Sequence, residues 1–157
     1  MRHIIATLVE NKFGVLARIA GLFSARGYNI ASLAVSETLD PGVSYLTMVV
    51  EAEDEKILEQ INKQLNKLID VLTVTDFTNK EHVDRELVIL RVGCASKDMS
   101  MLENIVKKDN ANIIQQKADG VILEFVGGQG EVKKLIDDLK PFGIKELARS
   151  GRIAMAK

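Results

Sequence analysis

The fold is decided by residues 8–30, which read LVENKFGVLARIAGLFSARGYNI. An apolar strand runs into a short turn at residues 11–14, and the turn opens a helix. The helix is predicted because its apolar residues recur at helical spacing, namely Val15, Leu16, Ile19, Leu22 and Phe23. Arg26 places a basic residue in the last turn of the helix, and Gly27 is predicted to end the helix in a left-handed backbone conformation. The next strand begins directly after it.

The turn before this helix has the features of a binding site for a small charged molecule. The free N–H groups of a helix N-terminus favour a carboxylate or a phosphate. Asn11 and Asn29 carry neutral side chains that both donate and accept hydrogen bonds. A free amino acid has one carboxylate and one ammonium group, so this equipment suits it. The segment has no nucleophile and no general base, and the pattern therefore favours binding over catalysis.

Composition narrows the class of protein. The chain has 157 residues, of which 46% are hydrophobic and 27% charged, as in globular proteins. Its formal net charge of −1 gives no general attraction to nucleic acid or to an anionic membrane. His3 and His82 are isolated from other metal ligands in the sequence, so no metal site is expected. With one cysteine, no signal peptide and no long apolar stretch, the expected location is the cytoplasm.

The order of predicted elements repeats. Strands are predicted at 2–9, 28–39, 43–51 and 70–77, with helices at 14–26 and 54–67. After a polar linker at 79–86, strands follow at 87–94, 112–117, 121–126 and 144–149, with helices at 98–108 and 130–140; Asp119 and Gly120 give a hairpin signal. The predicted fold class is α+β, with two ferredoxin-like βαββαβ units at 1–78 and 87–157. Units of this size expose sheet edges, which predicts a homodimer.

Several of these stretches carry a family resemblance. Residues 9–19 and 21–33 resemble the ACT domain, a small βαββαβ module that senses amino acids. Together with residues 60–71, 85–87 and 146–151, they resemble the regulatory (small) subunits of acetohydroxyacid synthase, also called acetolactate synthase. ACT domains in general often have Asp and Pro where this chain has Asn11 and Phe13, whereas the synthase subunits have Asn at the first of these positions.

The resemblance implies a non-catalytic subunit that activates a separate catalytic (large) subunit. That partner condenses pyruvate into 2-acetolactate or 2-aceto-2-hydroxybutyrate in the biosynthesis of valine, leucine and isoleucine. Thiamine diphosphate, magnesium and FAD would belong to the catalytic partner, and the small subunit would need no cofactor of its own. The small subunit would also make the enzyme sensitive to feedback inhibition by L-valine, an allosteric effect.

The resemblance also assigns site residues. In such subunits the effector lies between two ACT domains, with the Asn-x-x-Gly turn from one chain and the start of the second strand from the other. The expected effector-binding residues here are Asn11, Gly14, Val15, Leu16, Asn29, Ile30 and Val35. The backbone N–H groups at 14–16 would bind the carboxylate, and Val35 or its neighbours would line the space for the isopropyl group. The segment at residues 28–30 would come from the second copy. The C-terminal unit is expected to be regulatory.

Other interpretations remain open at this point. Asn11 and Gly14 could be ordinary turn residues, and Asn29 an ordinary polar residue at a strand start. An acylphosphatase on the same architecture would need an arginine in the first loop, which here has Lys12. An RNA-binding fold of the RRM type would need exposed aromatic residues on its central strands, which offer only Tyr45.

Overall fold

The chain forms two compact units in a computed structural model, which describes residues 1–95, 98–117 and 120–157. Unit 1 contains residues 1–83 together with residues 152–157, and unit 2 contains residues 84–151. The C-terminal segment therefore belongs to the first unit.

The elements follow one another in the order that the sequence predicts, with one further strand at the end. They are β1 (Arg2–Glu10), α1 (Val15–Ser24), β2 (Asn29–Glu37), β3 (Val43–Glu51), α2 (Glu55–Leu65), β4 (Val71–Asp76), β5 (His82–Val92), α3 (Met99–Lys108), β6 (Asn112–Lys117), β7 (Gly120–Gly127), α4 (Gln129–Leu139), a 3-10 turn (Lys140–Phe142), β8 (Ile144–Arg149) and β9 (Ile153–Ala156).

Unit 1 is a four-stranded antiparallel sheet with strand order β2-β3-β1-β4. One face packs against α1 and α2 through a buried core of Ile5, Val9, Val15, Ile19, Phe23, Leu46, Met48, Val50, Ala52, Leu58, Ile61 and Leu65. The helix α2 starts where Asp54 accepts a hydrogen bond from the Ile57 amide at 2.8 Å, an N-cap that satisfies one of the free N–H groups. This order leaves β2 as an edge strand.

The opposite face of the same sheet is covered by β9. Ala154 is buried there among Ile4, Ala6, Val49 and Phe77. The Tyr45 hydroxyl donates a hydrogen bond to the Ala154 carbonyl oxygen at 2.7 Å. The Arg152 amide donates to Ser32 Oγ at 3.0 Å, so the segment is also attached to the edge strand β2. Unit 1 therefore has buried apolar residues on both faces of its sheet.

Unit 2 has the strand order β6-β7-β5-β8, again antiparallel. Its helices α3 and α4 pack on one face of the sheet. The buried core that sheet and helices share consists of Val88, Leu90, Val92, Leu102, Val106, Ala111, Val121, Leu123, Phe125, Val132, Leu135 and Leu139. The buried Glu86 accepts two hydrogen bonds from Arg149, at 2.8 and 2.5 Å, and this pair joins β5 to β8.

The predicted fold class, α+β with two βαββαβ units, is confirmed. The division of the chain differs from the predicted 1–78 and 87–157 in two places. The predicted linker 79–86 contains the start of β5, because half-buried His82 and Asp84 alternate with exposed Val83 and Arg85 and so continue the strand back to His82. Residues 152–157 return to unit 1, because β9 buries Ala154 against its sheet. In the predicted hairpin, Asp119 lies outside the described residues, and Gly120 begins β7.

Candidate functional site

The first turn of α1 has backbone N–H groups available for a ligand. Gly14 occupies the N-cap position with a left-handed backbone (φ 82°) and provides no side-chain cap. The first N–H groups of a helix have no acceptor within the helix. The Val15 amide donates a hydrogen bond to the Lys12 carbonyl oxygen at 3.3 Å. The amides of the next residues, Leu16 and Ala17, lie at the positive end of the helix dipole.

The turn is held by hydrogen bonds to the β2–β3 hairpin. The Asn11 amide donates to the Gly42 carbonyl oxygen at 2.7 Å, and Asn11 Nδ2 donates to the Pro41 carbonyl oxygen at 2.9 Å. These bonds fix the turn without the proline that ACT domains often have at the position of Phe13. Asn11 thus has the structural role of a turn residue, and its Oδ1 can still accept a hydrogen bond.

A cleft of about 380 Å³ lies between this turn, α1 and the edge strand β2. Its floor is apolar and buried, formed by Val9, Val15 and Leu46. The side chains of Leu16 and Val35 line it while remaining partly exposed, so the cavity is an open cleft rather than an enclosed void. The cleft is large enough for a small amino acid.

The rim of the cleft is polar and charged. It contains Glu10, Lys12 and Glu37, with Ser36 and Ser44 beside them. Lys12 Nζ lies 2.8 Å from Glu10 Oε2, and this hydrogen bond raises the pKa of Lys12 above its ordinary value. Glu37 is paired with Ser44 of β3. It lies two residues beyond Val35 in β2, so its side chain is on the same face of the sheet as that of Val35, which is the face covered by the helices. The sequence reasoning did not identify Glu10, Glu37 or Ser44, although strand alternation from Val35 points to Glu37.

The structure brings together four of the seven predicted residues. Asn11, Val15, Leu16 and Val35 line the cleft, and Gly14 directly precedes Val15. Asn29 and Ile30 lie at the other end of β2. Asn29 and Val35 are six positions apart in β2, about 20 Å at the rise of a strand.

Asn29 is engaged within its own chain. Its Nδ2 donates a hydrogen bond to Glu51 Oε2 at 2.8 Å, and Arg2 donates to the other oxygen of the same carboxylate at 3.1 Å. The hydrogen bond from Asn29, followed by that from Arg2, lowers the pKa of Glu51. One copy of the chain therefore forms only the half of the predicted site that contains the helix N-terminus.

The cleft combines complementary features for a zwitterion. Helix amides favour a carboxylate, the acidic side chains of Glu10 and Glu37 favour an ammonium group, and the floor accepts an apolar side chain. Neither histidine lies in the cleft, since His3 contacts Thr78 and His82 contacts the Lys80 carbonyl oxygen. The arrangement is suited to binding a small zwitterion.

The structure also bears on the RNA-binding alternative. Tyr45 is the aromatic residue of the two central strands, β1 and β3. Its hydroxyl donates a hydrogen bond to the carbonyl oxygen of Ala154, in the strand β9 that covers the sheet. Its ring therefore does not form an open platform on which bases could stack.

Among the described residues, no group of three or more His, Cys, Asp and Glu side chains could hold a metal ion. Every helix in the described part of the chain is too short or too polar to cross a lipid bilayer.

Comparisons with known proteins account for both units. A family described as "AHAS small subunit-like ACT domain" matches residues 5–73, and one described as "Small subunit of acetolactate synthase" matches residues 85–157. The acetolactate synthase small subunit of Bacillus subtilis is 43% identical over 157 residues, which cover 100% of this chain and 91% of the relative. This chain belongs to the acetolactate synthase small subunit family.

Other members of the family support the same assignment over the whole chain. A probable acetolactate synthase small subunit of Archaeoglobus fulgidus is 44% identical and covers 100% of this chain and 98% of the relative. The crystal structure of the small subunit of acetolactate synthase from Thermotoga maritima matches with a TM-score of 0.88 and 34% identity, covering 100% and 98% of the two chains. The predicted family is therefore confirmed.

Proposed function

We propose that this chain is the regulatory subunit that activates the catalytic subunit of acetolactate synthase and makes it sensitive to inhibition by L-valine. It would work in the cytoplasm, in the biosynthesis of branched-chain amino acids. It would have no catalytic residues and no cofactor, and thiamine diphosphate, magnesium and FAD would belong to its partner.

The observation that carries this proposal is the cleft at the start of α1. In a member of this family, an apolar cleft with helix amides on one side and carboxylates on the other suits a small apolar amino acid. Of the amides at residues 14–16, the carboxylate of valine would accept hydrogen bonds from those of Gly14 and Leu16, because the Val15 amide already donates to the Lys12 carbonyl oxygen. Its ammonium group would lie near Asn11 Oδ1 and the rim carboxylates, and its isopropyl group would lie against Leu16 and Val35.

We further propose that a second copy completes the site. β2 is an edge strand, and the side chains of Leu33 and Val35 on it are exposed. If the β2 strands of two copies pair antiparallel around a centre near Leu33, the second copy's Asn29 lies opposite Glu37, at the end of β2 where the cleft lies. This pairing would supply Asn29 and Ile30 across a two-fold axis and would extend the sheet to eight strands.

The expected affinity follows from the size of the effector. Valine has about eight heavy atoms, and at about −0.6 to −0.8 kcal/mol per atom its binding free energy would be about −5 to −6 kcal/mol. This corresponds to a Kd of tens to hundreds of micromolar. Such a Kd suits a sensor whose ligand is a free metabolite.

The test is reconstitution with the purified catalytic subunit. Addition of the chain should raise acetolactate formation from pyruvate, and a valine titration should then lower it. Calorimetry of the small subunit alone should show valine binding, with leucine and isoleucine as comparisons and D-valine as a stereochemical control. If the chain leaves catalytic activity unchanged, or if none of the branched-chain amino acids gives a binding signal, the proposal fails.

A further inference from the structure

Three loops of unit 1 meet at one end of its sheet, and we call this end the apex. It consists of residues 11–14, 38–42 and 66–70. β1 and β2 are both antiparallel to β3, so they end on the same side, and β4 begins there because it is antiparallel to β1. The three loops are therefore neighbours although they are distant in the sequence.

Hydrogen bonds join the three loops of the apex. The loop at 11–14 is bound to the loop at 38–42 by the two bonds from Asn11 to Pro41 and Gly42. The residues that flank the loop at 11–14 bind the loop at 66–70, since the Glu10 amide at the end of β1 donates to the Asp70 carbonyl oxygen at 2.8 Å. Arg18 of α1 donates to Asp70 Oδ2, also at 2.8 Å. The loops thus form a fixed surface.

Each loop presents one large apolar side chain that contacts almost nothing in the chain. Phe13, Leu39 and Ile69 are exposed to 104%, 106% and 94% of their reference areas. Each lies within three residues of one of the bonds that join the loops. A single exposed apolar residue is normal on a protein surface, but three on adjoining, fixed loops are typical of an interaction surface.

The proposed dimer leaves the apex uncovered. Pairing of β2 strands in antiparallel directions places the two apices at opposite ends of the eight-stranded sheet, so the apices do not meet, and Phe13 and Ile69 lie on loops two and three strands away from the paired edge. A small subunit acts on a large one, and the curated relatives carry the name of small subunits. A small subunit requires a catalytic chain as its partner, and no surface of unit 1 has yet been assigned to that partner. We therefore take the catalytic chain as the partner that binds the apex.

We propose that the apex inserts Phe13, Leu39 and Ile69 into an apolar recess on the catalytic subunit of acetolactate synthase. This inference rests on the proposed function and adds to it the surface through which activation is transmitted. Phe13 lies between Asn11 and Gly14, so the same short turn would contact both valine and the catalytic chain. A ligand that shifts this turn then changes the affinity for the partner, and the partner changes the affinity for the ligand by the same factor.

The test compares two sets of substitutions at exposed apolar residues. The apex variant is Phe13→Ser, Leu39→Ser and Ile69→Ser together. The control variant is Met101→Ser with Met155→Ser, at exposed positions in α3 and β9. Since all five side chains are exposed, both variants should keep the melting temperature of the wild type. Affinity for the purified, immobilised catalytic subunit is measured by surface plasmon resonance, valine binding by calorimetry, and mass by light scattering.

The apex variant should bind the catalytic subunit at least 100-fold more weakly than the wild type, because burial of each large apolar side chain contributes about tenfold or more. It should keep its dimeric mass, and its affinity for valine should change by less than about threefold. The control variant should bind the catalytic subunit as the wild type does.

Wild-type affinity of the apex variant for the catalytic subunit would overturn the inference, and so would an equal loss in the control variant. A halved mass for the apex variant would also overturn it, because a second copy would then be the occupant. If the wild-type chain itself fails to bind the catalytic subunit, the proposed function fails and the inference falls with it. The two failures are thus distinguishable.

Discussion

Gly14 is the residue at which backbone geometry and ligand chemistry meet. Its φ of 82° is favourable for glycine and is also tolerated by asparagine and aspartate. A Cβ at this position would lie 3.5 Å from the Arg18 guanidinium, an ordinary contact. Space for a side chain therefore exists, and asparagine and aspartate add the least strain to this left-handed backbone, which makes Gly14 a suitable position for testing the carboxylate site.

Gly14→Asp should abolish valine binding. The new carboxylate would accept hydrogen bonds from the amides at the start of α1 and would repel the carboxylate of valine. We expect the Kd for valine, measured by calorimetry, to rise at least about 100-fold, and inhibition of the reconstituted enzyme to disappear. Gly14→Asn is the matched control, with nearly the same size but no charge, and should lose much less. Equal losses in both variants would mean that space rather than charge is responsible.

At this scale the sequence predicted part of the cleft and missed the rest for physical reasons. Leu16 and Val35 could be identified because they follow from the helix start and from a family resemblance. Glu10 and Ser44 could not, since their presence at the rim depends on the pairing of β1 with β3. The bonds from Asn11 to the hairpin also join residues 30 positions apart, which local patterns do not report.

Among the elements, β2 has the most direct consequence for assembly. It is paired on one side only by β3, and the side chain of Leu33 near its middle is exposed on the helix side of the sheet. If the two β2 strands meet there, equivalent side chains of the two copies lie close together. A charged side chain at this position would then face its own copy.

Leu33→Lys should therefore separate the dimer. Two ammonium groups held near the two-fold axis repel each other, and the apolar contact is lost as well. Light scattering should give the 17.3 kDa mass of one chain instead of twice that value. Leu72→Lys, on the opposite edge strand β4, is the control and should remain a dimer. A dimeric Leu33→Lys variant would contradict pairing through β2.

The strand β9 is the element that sequence patterns did not reveal. Its four residues, Ile-Ala-Met-Ala, are too few to establish a period, and their contacts lie with residues more than 100 positions away, such as Tyr45 and Thr47. The early start of β5 was missed for a different reason. Charged residues in the predicted linker hid the alternation of half-buried and exposed positions that the strand has there.

Ala154→Glu should destabilise unit 1. Ala154 is 1% exposed between Phe77 and β1, and a carboxylate there would have to be buried without a partner or would push β9 away from the sheet. We expect a loss of about 3 kcal/mol or more in the free energy of unfolding, measured with urea. Ala156→Glu, in the same strand but exposed, should cost less than about 0.5 kcal/mol. Similar stability of the two variants would mean that β9 contributes little to the unit.

For the whole molecule, the main consequence is that the first unit is not one continuous segment of chain. Residues 152–157 complete it after the chain has formed unit 2. The order of elements could be predicted from apolar periodicity, because each strand and helix has its own local pattern. The assignment of the last residues to a unit could not, since it depends on which sheet face needs cover. The family match at residues 85–157 does not separate them either.

If each site is built from two copies, valine and dimerisation must be coupled. A dimer then has two complete sites, and a single chain has none. Valine at ten times its Kd should favour the dimer by a factor of about eleven for each site. The two sites together should lower the dimer dissociation constant about 100-fold. Sedimentation velocity of dilute, labelled chain with and without valine measures this shift. Gly14→Asp is the control, because it should dimerise normally and show no response to valine. A dissociation constant that valine leaves unchanged, while calorimetry still reports binding, would mean that one copy holds the effector by itself, and the role assigned to Asn29 and Ile30 of the second copy would then be wrong.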